Sequence, residues 1–546
     1  MLMDFRTIVS VASTGLLLLT SQVVLVDTAS AQNSRKALTR AVDLEAGKEL
    51  FQREWVHEPV EQPQRGDRSL IDYRKELQRL PGDGLGPMFN ATSCEACHAA
   101  GGASDVDRNV TLVTLDPRSK GLKRGSKEAK KLMDLFPAFV ATNGTVSVDV
   151  VVHESSARPF YDQIRDQLTK GIPGGMPNGW FDRTKRSSQV IAENPVVAGR
   201  QGDFDFYLSQ RNSPPLFGMG LIDKITMYQL KRLAPALERR SGGKVSGRVG
   251  LGKFGWRAQT PTLSSFVAGA CAGELGLNMA TSPQSRDMAD NSYASLGEDI
   301  SQRDFTSLVN YVAALPAPAR ATGHVMDVAE GERLFAKIGC THCHIKNVSP
   351  AIGIYSDLLL HDMGDLLQAP SPVPTSPVGM TLVRMPIVSL TPNLLRPTGS
   401  IAGYYGHRSS SIPTPYAFGT PAEPAFPRGT LPESLINTNL RKELTWDMLQ
   451  REWRTPPLWG VADSGPYLHD GRATTLDAAI RWHGGEASTS TEKYRSLDRK
   501  KRKMVLQFLG SLRAPATVEP GPVDSEAFVQ KELNSTDVTA AFARGY

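Results

Sequence analysis

The pattern Cys-x-x-Cys-His occurs twice in this sequence of 546 residues. It is written Cys94-Glu95-Ala96-Cys97-His98 in the first half and Cys340-Thr341-His342-Cys343-His344 in the second. Two thiols at this spacing can add to both vinyl groups of one porphyrin, and the histidine that follows can bind the iron. A four-thiol zinc site or a pair of redox disulfides needs no such histidine. The pattern therefore predicts two covalently bound haem c groups.

The N-terminus has the features of an export signal. A largely apolar run, residues 7–26, follows Arg6, and the small residues Ala29 and Ala31 come shortly after it. We predict a signal peptide over residues 1–31, cleaved after Ala31. Polar residues within the run disfavour the alternative of an uncleaved membrane anchor. Because no later segment is apolar enough to cross a bilayer, we expect a periplasmic protein without a stable membrane span after processing.

Composition adds little about partners. The formal charge is +6, and the lysines and arginines are scattered without a nucleic-acid motif, so no nucleic-acid partner is expected. With 40% hydrophobic residues, the chain is expected to be globular and long enough for two or three domains. The fifth cysteine, Cys271, lies in a stretch of small apolar residues, which predicts a buried and inert thiol.

Three segments recur in the same order around the two haem motifs. The first, residues 43–51 and 327–335, is typical of an amphipathic helix; the second, residues 213–218 and 455–460, contains Pro-Pro-Leu-aromatic-Gly. The third is a helix with apolar residues at helical spacing, near residues 305–312 and 504–509, that a proline ends. We predict two haem domains, residues 32–316 and 325–515, with a linker over 316–323 and a tail over 516–546.

Cytochrome c domains wrap a few helices and long loops around a haem, so we expect a mainly α fold of two cytochrome c-like domains. The second domain contains a proline-rich stretch, residues 369–432, that disfavours regular structure. A passive surface insertion is the favoured interpretation of this stretch. A haem-edge lid or a partner-docking loop is the alternative.

Several longer segments resemble a known family. They are residues 83–93 before the first haem motif, 216–223 and 254–259 later in the first half, and 355–364 and 452–454 in the second half. Together they look like the di-haem oxidoreductases often labelled "thiol oxidoreductase", which are related to bacterial di-haem cytochrome c peroxidases. The resemblance covers most of residues 40–515 and leaves out the proline-rich stretch and the tail. No residue indicates a thiol substrate.

The resemblance implies roles for particular residues of the first half. Residues 211–214 resemble the approach to the peroxidatic haem pocket, and residues 255–279 would occupy the distal region, with Glu274 near the position of the catalytic glutamate. A carboxyl group there could move a proton between the two peroxide oxygens. A solvated helix-end glutamate is the alternative. Met88 or Met176 could instead cap this iron and leave a simple electron carrier.

In the second half, residues 465–472 resemble the Pro-Tyr-x-His-Asp-Gly signature of these peroxidases. His483 then falls where they carry the methionine ligand of the electron-transferring haem. A haem bound by His344 and His483 would be six-coordinate, with a lower potential than its methionine-ligated relatives. His361 and Met363 are competing ligands, and His483 could also be a simple hydrogen-bonding residue.

Trp256 and Trp459 lie near and within the second repeated segment, so each could rest against a haem edge. Packing is the commoner role for such an aromatic ring, and holding a radical or assisting electron transfer is the alternative.

Three function classes follow from these observations. The leading one is a periplasmic di-haem oxidoreductase of peroxidase type. It would take electrons from a small redox protein, such as a cytochrome c or a cupredoxin, and pass them through the C-terminal haem to the N-terminal haem, where a small-molecule oxidant binds. A haem-dependent oxygenase of the rubber-cleaving type and a non-catalytic electron-transfer cytochrome are the alternatives.

Overall fold

A computed structural model describes residues 43–116, 125–140, 149–280, 282–285, 287, 295–318, 325–370, 436–437, 442–443 and 446–515. The predicted signal peptide, residues 371–432 of the proline-rich stretch, residues 319–323 of the predicted linker and the predicted tail lie outside these described residues. Within the described part of the chain, no helix is long and apolar enough to cross a membrane.

Fourteen α-helices occur in the described residues. They are α1 (43–52), α2 (Leu70–Leu77), α3 (Lys127–Leu135), α4 (Tyr161–Lys170), α5 (Ser188–Glu193), α6 (Met219–Asp223), α7 (Met227–Arg240), α8 (Leu263–Glu274), α9 (Gln302–Ala314), α10 (Val325–Lys337), α11 (Trp446–Arg451), α12 (Leu476–Trp482), α13 (Ser488–Ser496) and α14 (Arg499–Gly510). Many begin at a residue whose side-chain oxygen accepts a hydrogen bond from the first turn, as Thr226 does at α7.

Twelve short strands accompany these helices in the described residues. They are β1 (Met88–Phe89), β2 (Val110–Leu115), β3 (Asp149–Val152), β4 (Ser155–Ser156), β5 (Val196–Gln201), β6 (Phe204–Arg211), β7 (Asn347–Val348), β8 (Ala351–Ile352), β9 (Leu360–Asp362), β10 (Ile436–Asn437), β11 (Lys442–Glu443) and β12 (Glu452–Arg454).

The first half contains a four-stranded antiparallel sheet in the order β3-β2-β6-β5. Leu208 of β6 lies opposite Val113 on one side and Val197 on the other, and these residues pack with Leu132 of α3 into a separate apolar core. The fold is therefore mixed α/β, and the prediction of a mainly α protein is wrong. β-branched and aromatic side chains stabilise this sheet because they pack well on its pleated surface.

The first and last helices of each half cross in the same way. A Cβ added at Gly47 of α1 would overlap the carbonyl oxygen of Ser307 in α9, and one added at Gly331 of α10 would overlap that of Met504 in α14. One turn later, the rings of Phe335 and Phe508 lie 5.3 Å apart, as do the Phe51 and Tyr311 rings of the first half. Glycine at the crossing lets the two backbones approach. The amphipathic and closing helices predicted from the repeat are present.

The repeated Pro-Pro-Leu-aromatic-Gly segments of the two halves face each other. The ring of Trp459 lies against Gly218, and the ring of Phe217 lies against Gly460, where an added Cβ would come within 2.9 Å of it. Both rings are almost fully buried. The two halves thus meet through a pair of equivalent contacts, while the predicted domain boundaries stay a prediction.

Candidate functional site

The second half encloses a cavity of about 220 Å³ around its Cys-x-x-Cys-His motif. Cys340, Cys343 and His344 line it, and the wall is otherwise largely apolar. Residues 213–215 and Trp256 of the first half complete the wall on one side. An apolar cavity with a few convergent polar groups is the usual form of a cofactor site.

A short 3-10 turn, Cys340–His342, shapes the motif. The backbone N–H of His344 donates to the carbonyl of Cys340 at 2.9 Å and closes the turn. Its Nδ1 lies 2.8 Å from the backbone oxygen of Tyr355. A carbonyl only accepts, so Nδ1 carries the proton and Nε2 keeps a free lone pair. Burial lowers the pKa of His344 to about 4, which favours the neutral imidazole that binds metals.

His483 lines the same cavity, just after α12. Its Nδ1 lies 2.7 Å from the backbone oxygen of Ala479, so this ring also donates through Nδ1 and keeps Nε2 free. Burial lowers the pKa of His483. The structure therefore brings His344 and His483 to one cavity in the same protonation state, although the ligand role of His483 stays a prediction.

The two competing residues differ in their surroundings. Both ring nitrogens of His361 contact carboxylates: Nε2 lies 2.9 Å from Asp357 and Nδ1 lies 2.7 Å from Glu486. Burial opposes the charged imidazole, but negatively charged neighbours, Asp357 among them, raise the pKa of His361 well above its ordinary value. A protonated ring cannot bind a metal. Met363 also lines the cavity.

Two further observations fit a haem in this cavity. Cys340 and Cys343 are free thiols, and burial raises the pKa of both, that of Cys340 to about 12. Trp459 lines the cavity, and its buried Nε1–H has no hydrogen-bond partner among the described residues. An acceptor carried by a bound group, such as a haem propionate, would satisfy this donor.

The first motif has the same local geometry. The N–H of His98 donates to the carbonyl of Cys94 at 2.9 Å, and His98 Nδ1 lies 3.1 Å from the oxygen of Gly102. Burial lowers the pKa of His98. Cys94 and Cys97 are free thiols. The first motif therefore offers the same side chains as the second, two thiols and one imidazole.

Glu274 lies at the end of α8, near this first motif. Asn90 Nδ2 donates to its carboxyl oxygen at 2.5 Å. Burial raises the pKa of Glu274 to about 7, and the bond from Asn90 opposes this rise. Burial also raises the pKa of the Cys97 thiol to about 11, and Glu274 adds to that rise, so the carboxyl group lies within electrostatic reach of the first Cys-x-x-Cys-His motif.

Residues 440–512 match the family model described as "Di-haem oxidoreductase, putative peroxidase". This match confirms the predicted di-haem oxidoreductase family. The matched segment includes His469 and His483 from the wall of the cavity. The family implies haem cofactors and an oxidoreductase function.

No curated protein matches the sequence. Among solved structures, hydrazine synthase from Kuenenia stuttgartiensis, studied under xenon pressure, is similar with 16% sequence identity and a TM-score of 0.28. The similarity covers 56% of this chain and 73% of that chain. A TM-score this low does not show a common fold.

Sequence reasoning missed the polar residues around Glu274. Asn90 is buried, accepts from the N–H of Glu154 at 2.9 Å, and receives a bond from Arg183 at its backbone oxygen. Arg186 donates to Glu154 at 2.7 Å. Residues 90, 154, 183 and 274 are far apart in the chain, and only the fold brings them together. A resemblance at position 274 alone could not find them.

The remaining predicted residues lie as follows. Met88 is fully buried in the apolar core of the four-stranded sheet, and Met176 packs against that core. Trp256 donates from Nε1 to the oxygen of Asn212 at 2.7 Å and lines the second-half cavity. Cys271 is buried in the first-half core, and burial raises its thiol pKa. These positions agree with packing roles for the two methionines and for Cys271.

Proposed function

We propose that this chain is a periplasmic di-haem c-type oxidoreductase that reduces peroxide with electrons from a small redox protein. The observation that carries the proposal is the second-half cavity, where two free thiols and two imidazoles with free Nε2 atoms converge. In this proposal, Cys340 and Cys343 hold one haem by thioether bonds, and His344 and His483 bind its metal. A haem there supplies an iron that changes oxidation state by one electron.

The first half has a different chemistry. Cys94, Cys97 and His98 would hold the second haem, and Glu274 is the acid–base group beside it. Peroxide reduction needs two electrons and two protons for each peroxide, and it gives two water molecules. A carboxyl group with a pKa of about 7 can take a proton from one peroxide oxygen and return it to the other near neutral pH. Asn90 orients this carboxyl group.

In this proposal the two haems have different roles, and the contact between the halves connects them. The N–H of Leu216 donates to the oxygen of Gly101, just after the first motif, and the adjacent Phe217 ring lies within 3.5 Å of a Cβ added at Gly101. Trp459 lies on the other side of this contact and lines the second-half cavity. Two buried aromatic rings, Phe217 and Trp459, therefore lie at the contact between the halves. In this proposal electrons enter at the second half and reduce peroxide at the first.

The periplasmic location is inferred from the sequence. Cytochrome c maturation takes place after export, and residues 1–31 have the properties of a signal peptide. A small donor such as a cytochrome c or a cupredoxin is expected in the same compartment.

Peroxide turnover tests the proposal. The protein is matured in a host that attaches haem c, and oxidation of a reduced cytochrome c and of a reduced cupredoxin is followed after addition of hydrogen peroxide. Two donor molecules are expected to be oxidised for each peroxide. The variant Cys94→Ala, Cys97→Ala serves as the control, because it should still accept an electron from the donor but no longer consume peroxide. Wild-type protein with both haems bound that leaves peroxide intact would overturn the proposal.

A further inference from the structure

Helix α7 of the first half lies along the haem-attachment segment of the second half. At its start, Gln229 Nε2 donates to the backbone oxygen of Ser349 at 2.9 Å. At its end, Arg240 Nη2 donates to the backbone oxygen of Thr341, between the two cysteines, at 2.9 Å. The last turn of α7 is therefore fixed beside the second Cys-x-x-Cys-His motif.

Three exposed cations surround Thr341 and His342. Arg240 ends α7, Lys244 follows four residues later, and Lys493 belongs to α13 of the second half. All three cations lie close enough to the partly exposed His342 to act on it electrostatically. We call Arg240, Lys244 and Lys493 the cationic rim.

The cationic rim lies directly outside the second-half cavity. Gly339, His342 and Ser490 line the cavity from within, and a Cβ added at Gly339 would come within 2.8 Å of Ser490 Oγ. Residue 490 is in the same helix as Lys493. Glu486, a carboxylate in the cavity wall, is already bonded to His361 and Ser246, so it does not neutralise the rim.

We propose that the cationic rim is the docking site of a small acidic redox protein, which delivers single electrons to the second half. The inference rests on the proposed function, because it needs a redox centre in the second-half cavity. The transfer breaks no bond: the donor is oxidised by one electron and the centre in the cavity is reduced by one. An acidic partner fits because opposite charges steer two proteins together and orient them during encounter.

Charge reversal tests this docking site. The variant Lys244→Glu, Lys493→Glu changes two exposed side chains that make no hydrogen bond or ion pair among those described. The matched control, Lys127→Glu, Lys130→Glu, makes the same charge change on exposed residues of α3, which packs against the four-stranded sheet. The probe is an acidic cupredoxin with zinc in place of copper, and its affinity is measured by calorimetry on the full-length, haem-loaded protein.

The rim variant should bind this probe about tenfold more weakly at low ionic strength, and the difference should shrink as salt screens the charges. The control should bind like wild type. Reduction by the native copper cupredoxin, followed by stopped flow, should slow in the rim variant only. Equal affinity of the rim variant and wild type, or equal weakening in the control, would overturn the inference. Binding is measured without peroxide, so a protein that lacks peroxide turnover can still pass or fail this test.

Discussion

Three half-buried histidines of this chain share one arrangement. Nδ1 of His98, His344 and His483 lies 2.7–3.1 Å from a backbone oxygen, of Gly102, Tyr355 and Ala479 respectively. The bond to the carbonyl fixes the proton on Nδ1 and directs Nε2 away from the backbone. A second-shell hydrogen bond of this kind orients a histidine ligand and makes it a better donor. At these three positions, which belong to the Cys-x-x-Cys-His motifs or line the cavity, the arrangement leaves Nε2 able to bind iron.

The ligand role of His483 can be tested by replacing it with methionine. In His483→Met, a thioether replaces an imidazole, so the reduction potential of the second-half haem should rise by on the order of 100 mV. A spectroelectrochemical titration measures this shift. Met363→Leu is the matched control, because Met363 lines the same cavity, and it should leave the potential unchanged. A shift in the control and none in His483→Met would assign the ligand to Met363.

Glu274 should control the pH dependence of peroxide reduction. The carboxylate form accepts the proton, so kcat/KM should rise with pH and level off above the pKa of about 7. In Glu274→Gln this rise should vanish, and the rate should fall by about 10²–10⁴-fold. Initial rates between about pH 5 and about pH 9 would measure this dependence. A Gln variant with the wild-type profile would remove Glu274 from this role.

The same group should affect stability. Its pKa is higher in the folded protein than its ordinary value of 4.5, so the folded state keeps a proton that the unfolded state loses between these two values. Stability should therefore fall as pH rises from about 4.5 to about 7, by at most on the order of 3 kcal/mol. Glu274→Gln should lose this slope in denaturant titrations.

At the scale of single elements, the helix crossings depend on glycine. Gly331→Ala places a methyl group against the backbone of Met504, so it should lower the free energy of unfolding by about 2 kcal/mol or more. Gly269→Ala is the matched control in α8, where an added Cβ meets nothing within 4 Å. Alanine has the higher helix propensity, so this control should stabilise by about 0.5–1 kcal/mol. Urea titration compares the free energies of unfolding of the two variants. Equal changes in both would contradict the close approach of α10 and α14 at Gly331.

The elements differ in how far the sequence predicts them. Helices α1, α9, α10 and α14 were predictable, because their apolar spacing repeats and prolines follow the closing pair. The four-stranded sheet was missed although its signals are present: residues 110–115 and 150–152 are rich in valine, and Gly202 stands between β5 and β6 with a positive φ. The haem motifs predicted cytochrome-like domains, and that expectation took no account of the long segment between the first motif and residue 213.

The residues of the candidate site could likewise be predicted only in part from the sequence. The Cys-x-x-Cys-His residues are adjacent in the chain, so their spacing alone predicts them. Asn90, Arg183 and Glu274 come from three distant segments, and their hydrogen bonds depend on how the sheet and α8 pack. Contacts of this kind cannot be read from one sequence, because nothing in local periodicity specifies them.

At the scale of the whole molecule, a buried ion pair joins the halves. Arg248 donates to Glu452 through Nε and Nη2, with a shortest distance of 2.6 Å, and both side chains are at least nine-tenths buried. Arg248→Met leaves the carboxylate buried without its partner, so it should lower the free energy of unfolding by about 3–5 kcal/mol. Calorimetric unfolding measures this loss.

Two further variants make this prediction specific. The double variant Arg248→Met, Glu452→Leu removes both charges and should recover most of the loss. Arg333→Met breaks the exposed pair with Glu330 and should leave the stability nearly unchanged. A double variant as unstable as Arg248→Met would show that the pair itself, rather than one stranded charge, holds the halves together.

Intact-mass spectrometry of the protein matured in a cytochrome c-competent host tests the central claim most directly. The account predicts the polypeptide mass plus two covalently bound haems, and only one added haem in Cys340→Ala, Cys343→Ala or in Cys94→Ala, Cys97→Ala. A wild-type mass without added haem, or two haems retained in either variant, would contradict it.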